Sequence, residues 1–278
     1  MSTTLSPPSA LPGVIKVGIA RIGYELKTYV RTPDGMFFNF SFPLMMLLVF
    51  TLAFSGMDFG IPQLGIEVTS AEYYLPAMVA MGIFISGAQN LGIDIAIERN
   101  DGTLKRLAGS PIAPVSYFIG KFGQVFITGF AQLVILLVVG GVFLGAGLPS
   151  EPEKWLTLAW IFVLGIVSSA VLGITLSALP RSVKSATSVI VPPILILQFI
   201  SGVYLRFADL PQWLQDVASI FPLKWIAQGL RYVFLPDAYK GAEIAGEWNL
   251  PGVAIALGIW FVVGTIGAAL TFRWTKRN

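Results

Sequence analysis

The stretch WLTLAWIFVLGIVSSAVLGITLSALP, Trp155 to Pro180, runs 26 residues without a charged side chain. Leu, Ile, Val, Phe, Ala and Gly dominate it, and no polar stripe recurs every 3.6 residues, so it does not read as the half-buried helix of a soluble domain. A helix rises about 1.5 Å per residue and the hydrocarbon layer of a bilayer is about 30 Å thick, so the segment is long enough to cross a membrane. Five more runs share its character: Phe37–Met57, Tyr73–Ile93, Phe122–Ser150, Ser185–Leu205 and Trp248–Phe272. The six runs cover 143 of the 278 residues, and all 33 charged residues fall in the other 135. The pattern predicts an all-α membrane protein with six transmembrane helices. It excludes a transmembrane β-barrel, whose strands alternate over about ten residues.

Charge predicts orientation, because basic residues collect on the cytoplasmic side. The N-terminal segment, the stretch from Asp94 to Lys121, the Arg181–Lys184 turn and the tail from Arg273 carry 13 bases against 5 acids, a net +8. The remaining connections carry 5 bases against 10 acids, a net −5, which accounts for the chain's +3. Both termini are therefore expected to be cytoplasmic. A pI near 9.1 invites a nucleic-acid reading. The bases are scattered along membrane edges rather than gathered on one face, so no nucleic-acid partner is expected. The first 30 residues hold no uncharged apolar segment, so no cleavable signal peptide is expected and the first span serves as the insertion signal. Cys and His are both absent. Disulfides, thiolate chemistry, imidazole-ligated metal and Ser–His proteolysis go with them, and no metal-binding or catalytic residue is expected.

Residues 1–12, rich in Ser, Thr and Pro, read as a disordered tail. Residues 13–34 read as an amphipathic helix in which Ile15, Ile19, Ile22, Leu26 and Val30 recur at steps of three and four, with Lys16, Arg21, Lys27 and Arg31 elsewhere around it. Such a helix would lie along the cytoplasmic headgroup layer. Residues 35–278 make the six-helix transmembrane domain. Pro43 and Pro76 are expected in the first turns of their spans, where a lost hydrogen bond costs least. Gly82, Ser86, Gly87 and Gly92 mark a face where another helix approaches closely. Pro192-Pro193 interrupts the fifth span, which suggests a helix lining a cavity or a subunit interface. Between the fifth and sixth spans, Asp209-Leu210-Pro211 starts a short helix with Trp213, Leu214, Val217, Ile220 and Phe221 as its apolar face. Pro222 resets the chain before a second helix containing Trp225, Ile226 and Leu230. Both are too short to span and read as re-entrant or surface-lying helices capping the outer leaflet.

Between the second and third runs lies Glu98-Arg99-Asn100-Asp101-Gly102-Thr103-Leu104-Lys105-Arg106-Leu107-Ala108-Gly109-Ser110-Pro111. It reads as a turn at Asp101-Gly102 and a short helix capped near Thr103 and ended by Gly109 and Pro111. Leu104 and Leu107 would stand exposed on one face, with Lys105 and Arg106 on the other, as a plug for a groove in a partner. This segment resembles the coupling segment of the ABC-2 type permeases of ABC exporters, Glu-Arg/Lys-x-x-Gly-Thr-Leu-x-x-Leu-x-x-x-Pro. Glu98, Arg99, Gly102, Thr103, Leu104, Leu107 and Pro111 match it position by position. The N-terminal helix, six runs, inward termini and Phe221-Pro222-Leu223 after the fifth run extend the likeness over nearly the whole chain. The resemblance implies two permease subunits side by side, each on a separate ATPase subunit that binds ATP and Mg. It also implies that the amphipathic and coupling helices touch that ATPase, and that substrate passes between protomers near spans 1, 2 and 5.

No Gly-x-x-x-x-Gly-Lys-Ser/Thr occurs; Gly120-Lys121-Phe122 lacks the upstream Gly and the hydroxyl, so the chain is not expected to hydrolyse ATP. The six runs hold no ionisable group of the kind that ion-coupled carriers bury. Phe54, Phe84, Gln89, Asn90, Gln198 and Phe199 are the candidate cavity residues, aromatic and amide groups suited to an amphipathic or apolar solute. Drug or lipid-like export, as in the daunorubicin-resistance branch, is the favoured reading. The alternatives are export of a lipid-linked polysaccharide, and a channel or structural membrane protein needing no ATPase.

Overall fold

The computed structural model describes residues 13–61, 65–243 and 246–272; the proposed tail at 1–12 and the terminal bases Arg273, Lys276 and Arg277 lie outside them. Among the described residues the chain is helical, apart from an isolated β-bridge between Ile61 and Ile66. Helix α1, Val14–Val30, precedes α2, Pro33–Ala53. Next, α3, Ser70–Phe84, runs without a break through a π-helical turn, Ile85–Asn90, into α4, Leu91–Asn100. The short α5 is Thr103–Ala108; α6, Pro114–Val138, ends in a second π-turn, Val139–Phe143. Then come α7, Pro152–Leu176, and α8, Ser185–Ile200. The chain closes with α9, Gln212–Ile220, α10, Pro222–Phe234, and α11, Leu250–Thr271.

Five stretches are long and apolar enough to cross a membrane: Pro33–Ala53, Ser70–Asn100, Pro114–Phe143, Pro152–Leu176 and Leu250–Thr271. The remaining run, Ser185–Leu205, folds as α8, an apolar helix of 16 residues, and Gly202 turns the chain at φ 79° soon after it. Helices α2, α3, α6 and α7 begin ahead of their uncharged runs because caps and first turns accept polar residues and proline. Thr69 and Glu72 form a reciprocal capping box ahead of α3, and Pro114 and Pro152 occupy first turns, where a missing N–H is harmless. Pro43 and Pro76 consequently sit inside α2 and α3 rather than in their first turns. Pro43 withholds the hydrogen bond due to the Asn39 carbonyl one turn back, and Gln132 of α6 supplies it instead, Nε2 to oxygen at 3.1 Å. The Pro pair does not interrupt α8, which is continuous and turns both prolines outward.

Helix α3 is the centre of the bundle: every residue in it except Glu72 is buried. The small residues act where expected. A Cβ on Gly173 of α7 would lie 2.4 Å from the Gly87 carbonyl oxygen, and one on Gly92 would meet Gly173, so the two backbones touch. Helix α10, expected as a cap, is instead packed into the bundle against α3, α7 and α11, with Leu223, Ile226, Ala227 and Leu230 fully buried. Its neighbour α9 keeps Trp213, Val217 and Ile220 exposed. The 25-residue α7 measures the bundle at about 37 Å. Arg99 bonds Ser177 just past one end of it, and Lys154 at the other bonds the Leu235 carbonyl after α10.

Candidate functional site

The segment joining α4 to α6 is built by one turn. Gly102 adopts φ 84°, a left-handed conformation that glycine tolerates, and the Asp101 carboxylate accepts the Thr103 N–H at 2.8 Å. Arg106 then donates to the Thr103 hydroxyl at 2.9 Å. Leu104 is completely buried in this chain's own core and Leu107 is half-buried beside it, which corrects the expected exposed leucine pair. A helix of six residues is unstable alone, and burying Leu104 holds α5 to the bundle. The surface that remains for a partner is Lys105, Arg106 and Ala108, followed by Gly109 and Pro111.

Beneath it lies a buried chain of charges that the sequence reading missed. Glu98, at the end of α4, takes the Lys121 ammonium at 2.6 Å on one oxygen and the Tyr117 hydroxyl at 2.7 Å on the other. Lys121 also meets Glu25 of α1 at 2.9 Å, and Glu25 meets Arg21 at 2.9 Å. Lys121 is 3% exposed and Glu25 4%, so their charges are tolerable only because they are paired. Gly120 and Gly123 leave room on α6 for the Arg21 and Ile22 side chains; a Cβ at either would come within 2.6 Å. Helix α1 therefore turns Gly18, Arg21 and Glu25 toward α6, while Ile15, Ile19 and Val30 are exposed and Ile22 and Leu26 are half-buried. The signal available in the sequence was the four-residue spacing of Arg21 and Glu25. Lys121 gave none, because it borders an uncharged run yet stands in the eighth position of α6.

Two neighbouring clefts open nearby, of which the smaller is lined by charges of this cluster. One, of about 330 Å³, is lined by Gln89, Asn90 and Gln198 together with Phe38, Phe42, Ile85, Val191 and Leu195. It unites three of the six candidate cavity residues. The other three lie elsewhere: Phe84 is wholly buried in the core, Phe54 stacks in an aromatic group with Phe50 and Tyr74, and Phe199 is exposed beside Tyr204. Gln198 is held by the Tyr204 hydroxyl at 2.7 Å. The second cleft, of about 320 Å³, shares Gly35, Asn39 and Asn90 with the first and adds Tyr29, Asp94, Glu98 and Lys121. Asn39 binds the two together: its oxygen accepts from Asn90 at 2.6 Å and its amide nitrogen donates to the Tyr29 hydroxyl at 2.6 Å. Burial holds the Tyr29 phenol above its ordinary pKa, so it serves as a neutral hydroxyl. Asn39, Tyr29 and Asp94 are additions to the expected set.

A bundle of long apolar helices, with clefts opening between them, marks a multi-pass membrane protein. Residues 65–270 match the family described as ABC-2 family transporter protein, and the chain belongs to that family. It is thus an ABC transporter permease. It is 26% identical over 250 residues to "Putative transport permease ycf38" of Porphyra purpurea, covering 88% of this chain and 84% of that one. It is 25% identical over 186 residues to "Probable multidrug ABC transporter permease YbhR" of Escherichia coli (strain K12), covering 67% of this chain and 50% of that one. The identity is 23% over 195 residues to "Probable doxorubicin resistance ABC transporter permease protein DrrC" of Mycobacterium tuberculosis (strain ATCC 25618 / H37Rv), covering 68% of this chain and 66% of that one.

Proposed function

We propose that this chain is the non-catalytic transmembrane subunit of an ATP-driven exporter that moves amphipathic drugs or lipid-like molecules outward across a bacterial plasma membrane. In this reading it crosses the membrane six times, α8 included, with both termini cytoplasmic and α9 and α10 at the outer side; the charge asymmetry of its connections supports that orientation. A second permease chain stands beside it. A separate ATPase subunit, the site of ATP and Mg, docks on the exposed residues of α5 and the adjoining part of α1.

The observation that carries the reading is the buried chain Arg21–Glu25–Lys121–Glu98. It ties the matched coupling segment to α1 and α6, so that a push on α5 reaches the clefts as a rigid displacement. Glu98 and Lys121 belong to both the ion chain and the cleft lining. The names of YbhR and DrrC support drugs as cargo. The test is co-purification with a co-expressed ATPase subunit. Lys105→Glu with Arg106→Glu is expected to abolish association while leaving the permease's thermal unfolding unchanged, since both side chains are exposed. Association undiminished by the charge reversals would refute docking on α5.

A further inference from the structure

The charges lining the second cleft are not evenly matched. Glu25, Asp94 and Glu98 supply three carboxylates, and Lys121 is the one basic side chain in the lining. Lys121 is committed to Glu98 and Glu25, and Arg21 reaches Glu25 from outside the cleft. Two bases thus answer two acids. Asp94 has neither an ion pair nor a hydrogen bond among the described residues, although it stands four residues before Glu98 on the same face of α4. A partly buried carboxylate without a partner is costly, and a cation entering the cleft would remove that cost.

We propose that the Asp94 cleft binds the positively charged headgroup of an amphipathic organic cation, whose apolar body occupies the adjoining cleft. This deepens the permease reading and rests on it. The walls fit such a ligand. Tyr29 brings an aromatic ring to the lining, and Ile93 and Ile97 offer apolar contact. Asn90 spends its amide nitrogen on Asn39, and its amide oxygen has no partner among the described residues, which leaves an acceptor for an ammonium N–H. Through the shared residues Gly35, Asn39 and Asn90 the site continues into a cleft walled by Phe38, Phe42, Ile85, Val191 and Leu195. Either cleft alone has the volume of a small-molecule site. An anion would meet Asp94 unshielded, and a neutral amphiphile would leave it unpaired.

The experiment is direct binding to the purified full chain in phosphatidylcholine nanodiscs, with no ATPase present. The probes are a dansyl-tagged alkylamine and its N-acetylated, uncharged counterpart, read by fluorescence. The wild type is expected to bind the amine about tenfold or more tightly than the amide, as for a charge-assisted contact. Asp94→Asn is expected to bind the two equally, and Asp94→Glu to keep the preference. Equal binding by the wild type, binding of neither probe, or an undiminished preference in Asp94→Asn each overturns the site. The wild-type comparison decides even if Asp94→Asn fails to fold. If the amine preference holds but no ATPase subunit associates, the export reading fails and the cleft assignment stands.

Discussion

The Glu98 carboxylate lies 2.6 Å from the Lys121 ammonium, across the junction of α4 with α6, and both are shielded from solvent. Because Glu25 shares the same ammonium, removing Lys121 takes the only cation from Glu98 and leaves Glu25 with Arg21 alone, whereas removing Glu98 leaves Lys121 its second partner. Lys121→Met is therefore expected to cost about 3–5 kcal/mol of stability, and Glu98→Gln clearly less. Thermal unfolding in one detergent would compare them; equal losses would mean the three groups are not coupled through Lys121.

Gln132 satisfies a carbonyl that Pro43 has freed. Gln132→Leu should cost about 1–3 kcal/mol, the penalty of an unmet buried acceptor. Adding Pro43→Ala restores an N–H to the Asn39 carbonyl within α2, so the double variant should regain much of that loss. If the two substitutions are additive in a double-mutant cycle, the relationship drawn from the 3.1 Å contact is wrong.

Where α7 crosses the π-turn, Gly173 has no space to spare. Gly173→Ala should destabilise the bundle by about 1–3 kcal/mol through forced separation of the backbones. Gly258 of α11, where a Cβ would meet nothing within 4 Å, is the control. Gly258→Ala should be neutral or mildly stabilising, by up to about 1 kcal/mol. Comparable unfolding temperatures for the two variants would contradict the close crossing.

Lys224 of α10 is buried, donates to Gln228 at 2.6 Å and lies 3.6 Å from the centre of the Trp225 ring. Burial, reinforced by the Arg231 charge, lowers its pKa to about 8. An unfolded lysine titrates near 10.4, so between about pH 8 and 10.4 the unfolded chain holds the extra proton and stability rises with pH. Below about pH 8 both states are charged and the burial penalty stands in full. The unfolding temperature of the wild type relative to Lys224→Met should therefore climb as pH goes from 7.5 to 10; a pH-independent difference would remove Lys224 as its cause.

The long helices were legible because charge is excluded from what faces lipid or core, and Trp155–Pro180 maps onto α7 almost residue for residue. Helix starts were less so. Caps and first turns tolerate polar residues, so α6 begins eight residues before its uncharged run, at Pro114, and takes Lys121 into the bundle. The run ending at Ile93 hid Asp94 in the same way, since α3, the π-turn and α4 form one continuous rod. On α1 the isoleucine spacing mixed two sides: Ile15 and Ile19 are exposed, while Ile22 packs on Gly123 of α6 beside Gly18, Arg21 and Glu25, which no hydrophobic pattern marks. Among the amides inside apolar runs, Gln89, Asn90 and Gln198 line one cleft while Gln132 serves the Asn39 carbonyl, and Phe84 and Phe54 have core neighbours that only the folded chain supplies.

In the proposed function a separate ATPase works this permease through α5. The chain has no Cys, so a single introduced thiol reports one position. Lys105→Cys on the exposed side of α5, and Lys240→Cys at the α10 end of the bundle, can each be labelled with a benzophenone maleimide and irradiated in membranes that also hold the ATPase subunit, so that the thiol holds the reagent and its photoexcited ketone inserts into a C–H bond of whatever lies beside it. A permease–ATPase cross-link is expected from Lys105→Cys and none from Lys240→Cys; no cross-link at Lys105→Cys, or equal cross-linking at both, would rule out docking on α5.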